Sequence, residues 1–226
     1  MKLVLVCGPW SSGTSAVAGM LAHFGLDGLG PYFGTNDERT PNSFESRAFR
    51  QRVQALADER TVRRTASPDA ALDAMRAFRA EIESGAFGPR DPARPIFLKY
   101  PLSALLIPEI CQAFDTRLVY VLRPLAGIEA TRARREWAPH LGAQGARILY
   151  SRMFDALVEH AFPTTIVRYP ELLARPLGVA RLLANVAGVS ADPALLERAA
   201  RFVSRPPAAP ASDAPAAATP PGATGA

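Results

Sequence analysis

The stretch from Met1 to Met20, MKLVLVCGPWSSGTSAVAGM, constrains this chain more than any other. Leu3, Val4, Leu5 and Val6 form an apolar run of strand length. Small residues follow (Gly8, Ser11, Ser12, Gly13, Thr14, Ser15), and then a helical pattern carrying Ala16, Val17, Met20 and Leu21. A strand that enters such a turn and leaves it as a helix wraps backbone N–H groups around an anion and aims a helix N-terminus at it. Gly8 and Gly13 have the spacing of a Walker A loop, and Ser15 falls at its magnesium-binding hydroxyl. Thr14 stands where the lysine that reaches the β- and γ-phosphates belongs. The loop therefore reads as an anion cradle rather than as part of an ordinary ATP or GTP hydrolase. A βα turn that is merely rich in small residues is the alternative.

The rest of the chain alternates short apolar strands with helices. Ile96 to Leu98 ends at Lys99, Arg117 to Leu122 ends at Arg123, and Thr165 to Arg168 ends at Tyr169. Alternation of this kind predicts an α/β chain: a three-layer α/β/α fold, covered on both faces, around a mainly parallel sheet of about four to five strands. Between the first two strands lie a long turn-rich loop, Asp27 to Ser43, and a helical insertion. The first inserted helix runs through Glu45, Phe49, Val53 and Leu56, capped by Asn42 or Ser43. The second spans about Asp69 to Glu83. A further helix is expected over Leu102 to Phe114. Residues 1–204 make one domain, and the Pro/Ala-rich segment 205–226 reads as a disordered tail.

Charged residues placed at strand ends, beside a turn, sit where open α/β sheets bind ligands, which singles out Lys99 and Arg123. The formal charge of +5 suits an anionic ligand, but no basic stripe interleaved with aromatics points to nucleic acid. The two cysteines, Cys7 and Cys111, have neither disulfide nor metal spacing and read as small core residues. No apolar run is long enough to span a bilayer, and the chain opens on a strand behind a single Lys2, so the expected compartment is the cytoplasm. No feature of the sequence specifies an oligomeric state.

Several separated stretches together resemble one family, the sulfotransferases that use 3′-phosphoadenosine 5′-phosphosulfate (PAPS), especially compact bacterial ones. Ser12 to Ser15, SGTS, is similar to the family's 5′-phosphosulfate loop. Arg123 after RLVYVL, with Thr131 on the following helix, resembles its 3′-phosphate site. Phe97 to Pro101 resembles a Lys-Asp-Pro segment, Asn42 to Ser46 a short Glu-containing motif, and Arg168 to Leu173 a Tyr-Glu-Asp-Leu-Leu segment. The resemblance runs from Lys2 to about Pro176 and implies a P-loop-like fold that moves a sulfuryl group from PAPS, without a metal, to a hydroxyl or amine of a small-molecule or carbohydrate acceptor. It assigns Ser11, Ser12, Gly13, Thr14, Ser15, Arg123 and Thr131 to the nucleotide and Glu45 to the acceptor's proton.

The sequence departs from the family pattern twice. Ser11 occupies a position where the family loop carries Lys or Arg, so another cation is needed at the leaving phosphate; Lys99 is the first candidate and Arg39 the second. Tyr100 stands in place of the Asp that follows the lysine. His23 and His140 read as structural or solvent-facing. Two other readings keep the fold: a nucleotide-binding protein without turnover, and a P-loop small-molecule kinase with a displaced lysine.

Overall fold

The computed structural model describes residues 1–35, 42–190 and 192–204. Arg39 and the segment 205–226 lie outside the described residues. Strand β1 (Lys2–Cys7) leads through the small-residue loop into helix α1 (Thr14–His23). The insertion comprises α2 (Arg47–Gln54), the two-residue strands β2 (Ala57–Asp58) and β3 (Arg63–Arg64), and α3 (Pro68–Glu83). Strand β4 (Ile96–Lys99), a short 3₁₀ turn (Pro101–Leu105) and α4 (Ile107–Ala113) follow, then β5 (Asp115–Leu122), α5 (Leu125–Arg134) and the long α6 (Ala143–His160). The remaining elements are β6 (Thr164–Arg168), α7 (Tyr169–Ala174), α8 (Pro176–Ala187) and α9 (Pro193–Ser204).

The sheet has four strands in the order β4-β1-β5-β6, and each neighbouring pair is parallel. The period-two alternation of strand side chains divides the core into two layers. Leu3, Leu5, Cys7, Ile96, Leu98, Leu118 and Tyr120 face one side, buried with Phe49, Phe78, Ile110 and Leu149 from α2, α3, α4 and α6. Val4, Val6, Phe97, Val119, Val121 and Val167 face the other, buried with Val17, Met20, Leu183 and Ala199 from α1, α8 and α9. Both faces of the sheet are covered, which is why its strands read as continuous apolar runs. The expected three-layer architecture is present.

Three local expectations need correction. The insertion is not purely helical, because Ala57 and Asp58 pair antiparallel with Arg64 and Arg63. The segment after β4 is not one helix: it begins as a 3₁₀ turn and is re-nucleated at Ile107, with Pro108 in the first turn of α4, where its missing N–H costs nothing. The first inserted helix is capped by Ser46, whose hydroxyl accepts from the Phe49 N–H. Asn42 and Ser43 instead form local turns upstream, accepting from the N–H groups of Phe44 and Glu45. Glu45 therefore lies before the helix rather than within it, and is buried at 7% exposure.

Candidate functional site

The loops leaving β1, β4 and β5 meet at one end of the sheet, so their residues are brought together by parallel pairing: Val6 lies opposite Lys99 and Cys7 opposite Tyr120. The first loop turns sharply. Ser11 adopts a left-handed conformation (φ 62°), and Gly13, at φ 100°, caps the N-terminus of α1. A side chain at Gly13 would collide with the Tyr169 ring, so the glycine serves both backbone and packing. The hydroxyls of Ser11 and Ser12 are buried without a hydrogen-bond partner, and Thr14 is 4% exposed. Unused donors at a helix N-terminus are groups that an anion could satisfy.

An ammonium from the neighbouring strand reaches this loop. Lys99 Nζ donates to Ser15 Oγ at 3.1 Å, to the Ser43 carbonyl at 3.0 Å and to Glu45 Oε1 at 2.8 Å. Its side chain is 5% exposed and that of Glu45 is 10% exposed, so this is a buried ion pair rather than a surface one. Glu45 reaches inward because Phe44 before it adopts a left-handed conformation (φ 55°). The strain, of order 1–3 kcal/mol, is held by burial of the Phe44 ring against Tyr32, Phe97 and Phe202. The Phe33 N–H donates to the Glu45 carbonyl and the Arg47 N–H to the Pro31 carbonyl, lacing the long loop to this segment.

Arg123, at the end of β5, faces the same loop. Its guanidinium donates to the Ser11 carbonyl at 2.7 Å and lies 4.5 Å from the centre of the Tyr169 ring. The Tyr150 hydroxyl accepts from the Arg123 N–H and donates to its carbonyl, fixing the strand end from α6. Thr131 follows one turn beyond Gly127 on α5, and its hydroxyl donates to the Gly127 carbonyl. The Arg123 side chain lies along Gly127, where a Cβ would press on it. Thus the proposed cradle residues, Lys99 and Glu45 form one cluster, and Arg123 borders it through Ser11. Thr131 stands beyond Arg123 on the neighbouring helix.

Sequence reasoning missed Arg50 and Glu59. Arg50 donates to Glu45 Oε2 at 3.2 Å and lies 3.5 Å from Glu59 Oε2, while the Tyr100 hydroxyl donates to that same Glu59 oxygen. Burial and the adjacent Glu59 push the Tyr100 phenol well above its ordinary range, so it remains a donor. No local signal marks Glu59, which is delivered by the β2–β3 hairpin. His23 packs on Phe202 at a ring separation of 5.3 Å, away from the loop. Among the described residues, no group of three or more His, Cys, Asp or Glu side chains could hold a metal ion, and no helix is long and apolar enough to cross a membrane.

No family model and no curated protein matches the chain. Solved structures do match. The sulfotransferase domain of the Synechococcus PCC 7002 olefin synthase is 16% identical over 86% of this chain and 76% of that one, with a TM-score of 0.52. The sulfotransferase STF9 from Mycobacterium avium is 14% identical over 89% of this chain and 67% of that one, with a TM-score of 0.54. The sulfotransferase domain from the curacin biosynthetic pathway is 14% identical over 86% and 76%, with a TM-score of 0.50. With its parallel sheet covered by helices on both faces, the chain has the fold of the sulfotransferase domains.

Proposed function

We propose that this protein is a sulfotransferase that moves a sulfuryl group from PAPS to a hydroxyl or amine of a small-molecule or carbohydrate acceptor. One observation carries the reading: a buried lysine from β4 touches both the anion-binding loop, at Ser15, and the carboxylate of Glu45. PAPS supplies an activated sulfuryl group attached to a phosphate leaving group. Ser11, Ser12, Gly13, Thr14 and Ser15 are the residues to hold its 5′ end, and Arg123 with Thr131 its 3′-phosphate, through a charge-assisted contact from the guanidinium.

Lys99 supplies positive charge at the mouth of the loop, in a site poor in water, where such a charge acts most strongly. Glu45 is placed to accept the acceptor's proton. The two roles are linked. A proton arriving at Glu45 Oε1 neutralises the partner of the 2.8 Å ion pair and leaves the charge of the ammonium, already in contact with Ser15, unopposed by that carboxylate. Proton acceptance and delivery of positive charge are then parts of one event.

A second reading, nucleotide binding without turnover, is favoured by the same lysine being fully engaged by Glu45, Ser15 and Ser43. Transfer of labelled sulfate to an acceptor separates these two readings, and calorimetric titration separates both from a kinase. The sulfotransferase reading expects micromolar binding of 3′-phosphoadenosine 5′-phosphate without magnesium, and binding weakened by Arg123→Ala. Magnesium-dependent ATP binding with no affinity for the bisphosphate would replace it with the kinase reading.

A further inference from the structure

Lys99 and Glu45 do not stand alone: a chain of side chains continues from them away from the loop. Glu45 Oε1 is taken by Lys99, and its other oxygen, Oε2, accepts from Arg50 Nη1. The second fork nitrogen of Arg50 faces Glu59, and Tyr100 donates to Glu59 from behind. The guanidinium is also flanked by two rings, 3.9 Å from the centre of Phe33 and 5.2 Å from that of Tyr100. The side chains of Arg50 and Glu59 are 19% and 28% exposed, and Tyr100 is 1% exposed.

Resting on the transferase reading above, we propose that Arg50 and Glu59 are positioning residues for Glu45. A carboxylate that both accepts a proton and anchors a lysine needs one oxygen committed elsewhere, or it rotates and presents either oxygen to either partner. Arg50 makes that commitment, because a planar fork can hold Glu45 with one nitrogen and Glu59 with the other, which an ammonium cannot do with the same fixed geometry. Glu59 stops the fork from turning, and the donating phenol of Tyr100 fixes Glu59. Arg50 comes from α2, Glu59 from the hairpin and Tyr100 from the end of β4, so the insertion is tied to the sheet at the reacting carboxylate. Tyr100, standing where an Asp would follow the lysine, thereby recruits a carboxylate from the hairpin in its place.

The test combines a turnover measurement with one that needs no donor. In the unaltered protein, ¹⁵N NMR should show slow rotation of the Arg50 guanidinium about its Cζ–Nε bond compared with exposed arginines. Glu59→Gln should speed that rotation on the order of tenfold, and Arg50→Lys should not restore what Arg50→Met loses. In transfer assays, Glu59→Gln and Arg50→Lys should lower kcat on the order of tenfold, leaving acceptor KM and bisphosphate affinity within about twofold. Arg50 rotating as freely as exposed arginines in the unaltered protein, or a full kcat in Glu59→Gln, overturns the proposal. Absence of transfer by the unaltered protein counts against the transferase reading itself, and the NMR arm still determines whether Arg50 is held.

Discussion

Replacing Lys99 with Met removes the ammonium while keeping a flexible apolar stem of similar length in the core. Lys99 is 5% exposed along its side chain and makes contacts at 2.8, 3.0 and 3.1 Å. Removing one partner of a buried ion pair typically costs about 3–5 kcal/mol because the other charge is left uncompensated. Here Arg50 still holds Glu45 Oε2 at 3.2 Å, so a loss nearer about 3 kcal/mol is expected, or roughly 6–12 °C in Tm for a domain of this size. Adding Glu45→Gln should recover part of the loss, because the stranded charge is gone; the two substitutions should therefore combine to less than their sum. Thermal melts of the two single variants and the double variant measure this directly. In transfer assays, Lys99→Met should lower kcat by on the order of a hundredfold while bisphosphate affinity changes far less. A melt unchanged by Lys99→Met, or strictly additive losses, would refute the claim that the two side chains form one buried unit.

Other perturbations read different parts of the site and of the fold around it. Arg123→Ala should weaken bisphosphate binding by about 2–3 kcal/mol in calorimetry, and because Arg123 also holds the Ser11 carbonyl, Arg123→Lys should rescue little. Gly13→Ala should lower the Tm and abolish bisphosphate binding together, since that position is left-handed and the Tyr169 ring occupies the place of a Cβ. Burial pushes the Cys111 thiol up to about 12 and the Cys7 thiol higher still, so neither should react with an aromatic disulfide reagent at pH 8 in the native protein, whereas both should react in denaturant. The Ala143 N–H and Arg132 hold the Glu129 carboxyl below its ordinary value of 4.5. Its contribution is therefore complete above that value and lost as the pH falls through the lower native one, so Glu129→Gln should flatten the loss of Tm below about pH 4.5.

The strands, both faces of the core and the loop at the end of β1 were legible from sequence because buried parallel strands and amphipathic helices write their periods into the chain. Lys99 and Arg123 stand out in the sequence for the same reason: each ends an apolar run. The resemblance points to Glu45, but its burial is not visible in the sequence, since it depends on a left-handed Phe44, a conformation that sequence rarely announces outside glycine. Glu59 is not legible because a hairpin of two-residue strands has no periodicity, and nothing local to it shows that Tyr100, 41 positions along the chain, is its partner; Arg50, on α2, is set apart from other helix arginines only by Glu45 and Glu59.

The most direct measurement is transfer of labelled sulfate from PAPS to a panel of hydroxyl and amine acceptors, run side by side on the unaltered protein, Glu45→Gln and Lys99→Met. A reacting carboxylate and lysine at the mouth of the loop predict label on an acceptor with the unaltered protein and its near loss in both variants. Bisphosphate binding without label transfer to any acceptor, or transfer that survives both substitutions, would contradict the assignment.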